Sequence, residues 1–306
     1  MTVHALRFDR GLALVEAVEP VEPNDPTRLH LALAGFARQR FAPTLPAPGW
    51  REEIVEQTNL RLIEGAFVER ERAAMAPLLA DLPTDSTRFL SWYEKLADSG
   101  PGQHDALFPW LAERADLAAL RWFIEQEAAV EAGFDDLVAL TQVRMPARAK
   151  LELARNYWDE MGRGNARGMH GPMLDTLVRA LRLDPRPQTT VWQSLALGNL
   201  MTALASNRRY AFHALGALGV IEMTAPDRAQ AVARGLARLG LDKPARHYFE
   251  LHAVLDRKHS ADWNREIIGP LVDADPALAR PIAEGALMRL AAGARCFARY
   301  RAEFGL

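Results

Sequence analysis

His252, Asp256 and His259 stand four and three residues apart in YFELHAVLDRKHSADW, residues 248–263. The surrounding segment, 243–266, has the pattern of a helix. At about 100° per residue, Ala245, Tyr248, Phe249, His252, Leu255, Asp256, His259 and Trp263 share one stripe, and Arg246, Glu250, Arg257, Lys258 and Asn264 the opposite side. The first stripe is the core face, so three ionisable side chains lie along a surface that folding would bury. An unpaired buried charge costs on the order of several kcal/mol even after relaxation. A metal ion compensates such a cost, and this spacing stacks the three side chains on successive turns, where they converge on one point or two adjacent ones. The competing reading is two hydrogen-bonded core histidines oriented by Asp256. One helix cannot complete a metal shell, so the metal reading requires ligands from elsewhere.

Bundle metal sites draw inward-facing Glu and His from several helices, and three places offer them. Glu160 ends a helix whose inner stripe is Ala149, Leu153, Asn156, Tyr157 and Glu160, and His170 opens the next. Between them Gly162, Gly164 and Gly168 give the backbone freedom to turn both side chains into one cavity. The same stretch, GRGNARG, lacks the strand-to-helix context and the spacing of a phosphate-binding loop. Glu222 stands among small and apolar residues in GALGVIEMTAP, either as a functional carboxylate or as a helix end meeting solvent before Pro226. Glu131 shares a stripe with Leu120, Ile124, Ala128 and Val138 and should lie level with Glu160 across the turn TQVRMPA. Glu127, one turn earlier, reads as a solvated side chain or as a rival for the same role. Among the remaining histidines, His213 projects about 180° around its helix from Glu222, and His247 about 140° off the metal stripe. His4, His30 and His104 have no carboxylate at ligand spacing. Tyr157, Trp122 and Trp263 are read as core aromatics that border the site.

Helices have to position these groups, and the chain offers little else after residue 25. The expected spans are 27–40, 50–80, 84–98, 103–113, 116–142, 147–162, 170–183, 188–206, 208–223, 226–239, 243–266 and 276–304. Breaks such as DLPTDS, SGPGQ, VRMPAR, LDPRPQ, TAPDR and GLDKPAR separate them. Asp25 followed by Pro26 is a helix start, and LRFDRGLALVE reads as a hairpin around Asp9–Gly11. Alternating strand patterns are absent after residue 25, and no repeat of solenoid period occurs. The expected class is all-α: a bundle over residues 115–306, with residues 1–114 as an amino-terminal helical extension that forms an accessory layer.

Composition narrows the function. Lys plus Arg is 37 against 39 for Asp plus Glu, a net charge of −2, so no basic excess points to nucleic acid or an anionic membrane. The most apolar stretch, AFHALGALGVIEM, is too short to span a bilayer, and the charged amino terminus does not read as a signal peptide. A single cysteine, Cys296, excludes an intrachain disulfide and a thiolate cluster and makes the cytoplasm the default location.

Taken together, DEMGRGNARGMH, the isolated Glu222 and YFELHAVLDRKH resemble the haem-oxygenase-like di-iron oxidases and oxygenases, the iron-containing redox enzymes, over residues 115–265. The resemblance implies a seven-helix haem-oxygenase-like bundle, a homodimer, and no haem. It implies two ferrous ions held by Glu160, His170, Glu222, His252, Asp256 and His259. Members that oxygenate amines carry an additional carboxylate, and Glu131 matches it best, as both a seventh ligand and a catalytic group. The two ions bring four positive charges and the three carboxylates three negative ones, so Glu131 would make the diferrous site neutral. Dioxygen is the implied co-substrate, with a small organic substrate in natural product biosynthesis and an external electron donor. N-oxygenation of an amine is the expected reaction. Oxidative C–C cleavage or desaturation of an amino acid or fatty acid is the alternative, and a non-enzymatic helical ligand-binding protein the reading outside catalysis. The fold also hosts thiaminase-like hydrolases with a catalytic cysteine, but Cys296 lies beyond the matched residues.

Overall fold

The computed structural model of the chain describes residues 25–46, 48–130 and 133–306. Helices α1 (Pro26–Phe41), α2 (Trp50–Ala74), α3 (Ser86–Ser99) and α4 (Leu107–Glu113) precede residue 115. They are followed by α5 (Leu117–Ala128), α6 (Phe134–Thr141), α7 (Ala147–Glu160), α8 (His170–Ala180), α9 (Trp192–Ser206) and α10 (Ala211–Arg238). The last three are α11 (Lys243–Trp263), α12 (Gly269–Ala274) and α13 (Ala279–Phe304). Among the described residues no strand forms, and the sole bridge joins Met161 to Met169. The expected hairpin at Asp9–Gly11 lies outside the described residues. Aspartate caps explain several starts: Asp25, Asp85, Asp116 and Asp242 each accept a hydrogen bond from a backbone N–H of the first turn of α1, α3, α5 and α11.

The boundaries depart from the expected ones at three informative places. The expected helix 116–142 is divided: α5 stops at Ala128, and α6 begins after Gly133, whose φ of 83° is left-handed. The expected break at Pro226 is not a break, because α10 runs through it. Pro226 removes one hydrogen bond, but Val220, Glu222, Thr224, Ala229 and Val232 around it are buried, and that packing holds the turn together. After Trp263 the helix widens to a π turn over Asn264–Ile268, in which Gly269 N–H reaches back to Asn264 O. Pro270 follows; it has no N–H, and its ring would collide with the carbonyl four residues back in a regular α turn. Asn264, at the start of this turn, keeps regular helical bonding, and its Nδ2 donates to Glu94 Oε1 of α3 at 3.4 Å. It is buried, not on the polar face.

Helix α10 is the axis of the molecule, packed against α11, α13 and α4. Its approach to α13 is backbone to backbone. A Cβ at Gly216 would overlap the carbonyl of Ile282, and one at Gly285 would overlap the carbonyl of His213. Tyr93 OH donates to Gly216 O at 2.8 Å and Trp263 Nε1 to Leu215 O at 3.2 Å, which ties α3 and α11 to the same crossing. Gly285→Ala is therefore expected to destabilise the chain by about 3 kcal/mol, lowering the melting temperature by several degrees. Gly35→Ala, where nothing lies within 4 Å, should leave it unchanged or raise it. The early helices share this core: Leu33, Phe67, Phe89 and Leu111 belong to the same hydrophobic cluster as Leu215 and Leu218. No helix among the described residues is long and apolar enough to cross a membrane.

Candidate metal centre

Helix α7 ends at Glu160, and the chain then doubles back through two short 3-10 turns to start α8 at His170. The reversal depends on Gly162. Its φ is 60°, and a Cβ there would lie 2.6 Å from Met169 N and closer still to Gly168. The Met161–Met169 bridge closes the loop. Glu160 and His170 are thereby brought face to face, with Oε2 and Nδ1 2.5 Å apart and both side chains buried.

Opposite stand α10 and α11. Glu222 comes from the middle of α10, and Asp256 and His259 from the inward face of α11, all buried; His252 is half-buried one turn before Asp256. Two groups of ligand atoms result, each within 4.8 Å of one another: Glu160 with His170 and His252, and Glu160 with Glu222 and His259. Glu160 belongs to both. Asp256 is in neither group, but it lines the same cavity between the two histidines of its helix.

The histidine rings are held by groups outside these sets. His252 Nδ1 lies 2.7 Å from Tyr248 O. A carbonyl only accepts, so Nδ1 carries the proton and Nε2 presents its lone pair. His259 Nε2 lies 3.1 Å from Asp159 Oδ2, which leaves Nδ1 toward Glu222. Asp159 is itself gripped by Arg163 at 2.6 Å, and Asn156 Nδ2 donates to Glu222 Oε1 at 2.6 Å. Sequence reasoning missed Asp159 as a partner and placed Asn156 only on the inner stripe. Asp159 is 100 residues from His259, and no local signal links them.

Without a metal, protons carry the positive charge in this cluster. Burial, and then the neighbouring Glu222, push the Glu160 carboxyl well above its usual range. Burial lowers His170 and His252 to about 4, so both rings are neutral. Burial also opposes the His259 cation, but the Glu222, Asp159 and Glu160 carboxylates outweigh it and raise this ring to about 9. A metal must therefore displace protons from Glu160 and His259. Iron affinity is expected to rise with pH between about 6 and 9, by roughly tenfold per unit for each proton released. Titrations at pH 6.5 and 8 in the same salt measure it. In the metal-free chain the raised His259 contributes stability that is complete below its ordinary 6.5 and lost as pH rises through about 9.

The remaining candidates among the described residues fall outside the cluster. Glu131 lies outside the described residues. Glu127 is not a solvated side chain: it lines the cavity and accepts from Tyr300 OH at 2.7 Å, because α5 packs its aromatic residues on Tyr300. It is in neither ligand group. Asp135, in the first turn of α6, does line the cavity, and its charge acts on both Glu160 and His170. His213 pairs with Glu284 at 3.0 Å, His30 is packed between Phe67 and Trp192, His104 pairs with Asp98, and His247 is exposed. Trp263 is core, Trp122 packs on Tyr300 and Phe304, and Tyr157 borders the core. Cys296 is buried away from the cavity, and burial pushes its thiol up to about 12, which removes it as a nucleophile.

The donor set fits iron. His170 Nδ1 and His259 Nδ1 are buried with no hydrogen-bond partner, although carboxylate oxygens stand 2.5 and 3.4 Å away. Donor atoms crowded this closely could hold a metal ion at a common point. Carboxylate oxygens and imidazoles without thiolate suit iron or manganese.

The model of the iron-containing redox enzymes matches residues 121–294. The chain belongs to that family. No curated protein matches it. Its fold is shared by a CADD-like protein of unknown function from Nostoc punctiforme PCC 73102. One crystal structure of that protein superposes with a TM-score of 0.57 at 15% identity, covering 71% of this chain and 97% of the other. A second gives 0.55 at 15% identity, with 71% and 95% covered. The architecture is thus all-α and haem-oxygenase-like, and the chain is an iron-containing redox enzyme by family.

Proposed function

We propose that this iron-containing redox enzyme is a non-haem di-iron oxygenase or oxidase that uses dioxygen on a small organic substrate. The observation that carries the reading is the place of Glu160 in both ligand groups. One iron would be held by Glu160, His170 and His252, the other by Glu160, Glu222 and His259, with Asp256 completing the shell from between its two histidines. When bound, the irons supply the redox chemistry with dioxygen that side chains cannot. The chain's residues do the rest. Tyr248 O and Asp159 set the tautomers of His252 and His259. Asn156 orients Glu222. Apolar walls from α5 and α10 limit water beside the site.

N-oxygenation of an amine is the reaction favoured if a fourth carboxylate joins Glu160, Glu222 and Asp256. Glu131 is the residue proposed for that role, and Asp135 stands close enough to act on the same ligands. Oxidative cleavage or desaturation of an amino acid or fatty acid is the reaction without it. The reading includes an external electron donor, a homodimer and a cytoplasmic setting. Its test is oxygen uptake after anaerobic iron loading: the iron-loaded chain should consume dioxygen, and the metal-free chain should not. Equal, negligible uptake by both supports a ligand-binding protein.

A further inference from the structure

The cavity that contains the Glu160 cluster has a second polar end. It runs along α10 past Ala225 and Ala229 to Val232, and is walled by Phe108, Phe123 and Phe297. A volume of about 160 Å³ is open within it. Arg228 and Arg289 line this far end, with Glu127. Arg228 lies about 9 Å along the helix axis from Glu222, at 1.5 Å per residue. Its guanidinium is stacked over Phe297 at 4.8 Å and Phe108 at 5.6 Å, in place of a carboxylate contact. Arg228 Nη2 and Arg289 Nε are buried with no hydrogen-bond partner. Among the described residues Glu127 is the one acidic side chain lining this end, and it already accepts from Tyr300; Asp105, whose charge also reaches Arg228, is paired with Arg301.

Two guanidiniums against one carboxylate leave a positive excess in an apolar enclosure. Orphaned, buried N–H donors on a cation are costly to leave unmet. An incoming anion removes both penalties, and a carboxylate suits the planar fork of arginine. We propose that Arg228 and Arg289 bind the carboxylate of the substrate, so that the enzyme acts on an organic acid whose apolar middle spans the cavity and whose far end reaches the Glu160 cluster. This rests on the di-iron reading for the reacting end only. If nitrogen is oxygenated, the amine belongs to a molecule that also carries a carboxylate.

The test is calorimetric titration of the full chain with octanoate and with octylamine, each with and without excess EDTA. Octanoate should bind in both buffers and octylamine should not. Arg228→Met and Arg289→Met keep the bulk of the stem and remove the charge. Each should weaken octanoate binding roughly tenfold or more, while iron stoichiometry and melting temperature stay at wild-type values. Octylamine binding as tightly as octanoate overturns the proposal, and so does octanoate binding that EDTA abolishes or that both folded variants retain. If an arginine variant does not fold, the comparison of the two ligands on the wild type still decides. A chain that binds octanoate in EDTA but never binds iron refutes the di-iron reading and leaves this one standing.

Discussion

Glu160→Ala should empty both metal positions at once. Its carboxylate is the one ligand that the two groups share, so each would be left with two donors. Iron per chain should fall from two to near zero, a loss beyond the roughly 10–100-fold that substitutions outside the ligand set cost. His252→Ala removes a ligand from one group only and should retain about one iron. Unfolding would not account for the difference. Burial and the charge of Glu222 already disfavour the Glu160 carboxylate in the metal-free chain. Removing it relieves a crowded pair, and the metal-free variant should melt no lower than the wild type. Iron analysis after desalting, beside thermal melts of both variants, gives the result. Equal retention of iron by Glu160→Ala and His252→Ala would show that Glu160 bridges nothing.

Gly162→Ala should also lower the iron content, through the backbone alone. At φ 60° any other L residue is strained by about 1–2 kcal/mol. Here the added Cβ also meets the Gly168–Met169 backbone, which cannot swing aside as a side chain can. The loop must open, and opening it separates His170 from Glu160. The group containing His252 should lose iron while far-ultraviolet circular dichroism stays helical. Gly164→Ala is the comparison. It too has positive φ, but its Cβ meets only the ring of Trp158, at 2.9 Å, so a smaller loss is expected. Equal, wild-type iron content in both variants would separate the loop from the site.

Much of the geometry of this candidate centre could be read from residue spacing, because the residues proposed as ligands sit on helices. His252, Asp256 and His259 needed only the 3.6-residue period, and the burial of Asp256 and His259 matches the stripe. Spacing failed where a distant helix covers the polar side. Asn264 was placed on the polar face, and only the fold sets Glu94 of α3 against it. Pro226 read as a break because local preference was weighed without the packing that spans it. Asp159 was hidden for a different reason. A carboxylate beside Arg163 reads as a solvated pair, and only the fold brings His259 against it. Arg228 was hidden in the same way: an arginine on a long helix reads as surface until the phenylalanines of α4 and α13 are seen to enclose it.

The account stands on one shared carboxylate between two ions. Its most direct test is a crystal of the chain grown anaerobically with ferrous iron, with diffraction recorded on either side of the iron absorption edge. The anomalous difference map should show two peaks within the cluster, both bonded to Glu160, one also to His170 and His252 and the other to Glu222 and His259. A single peak, or two peaks of which only one touches Glu160, would contradict it.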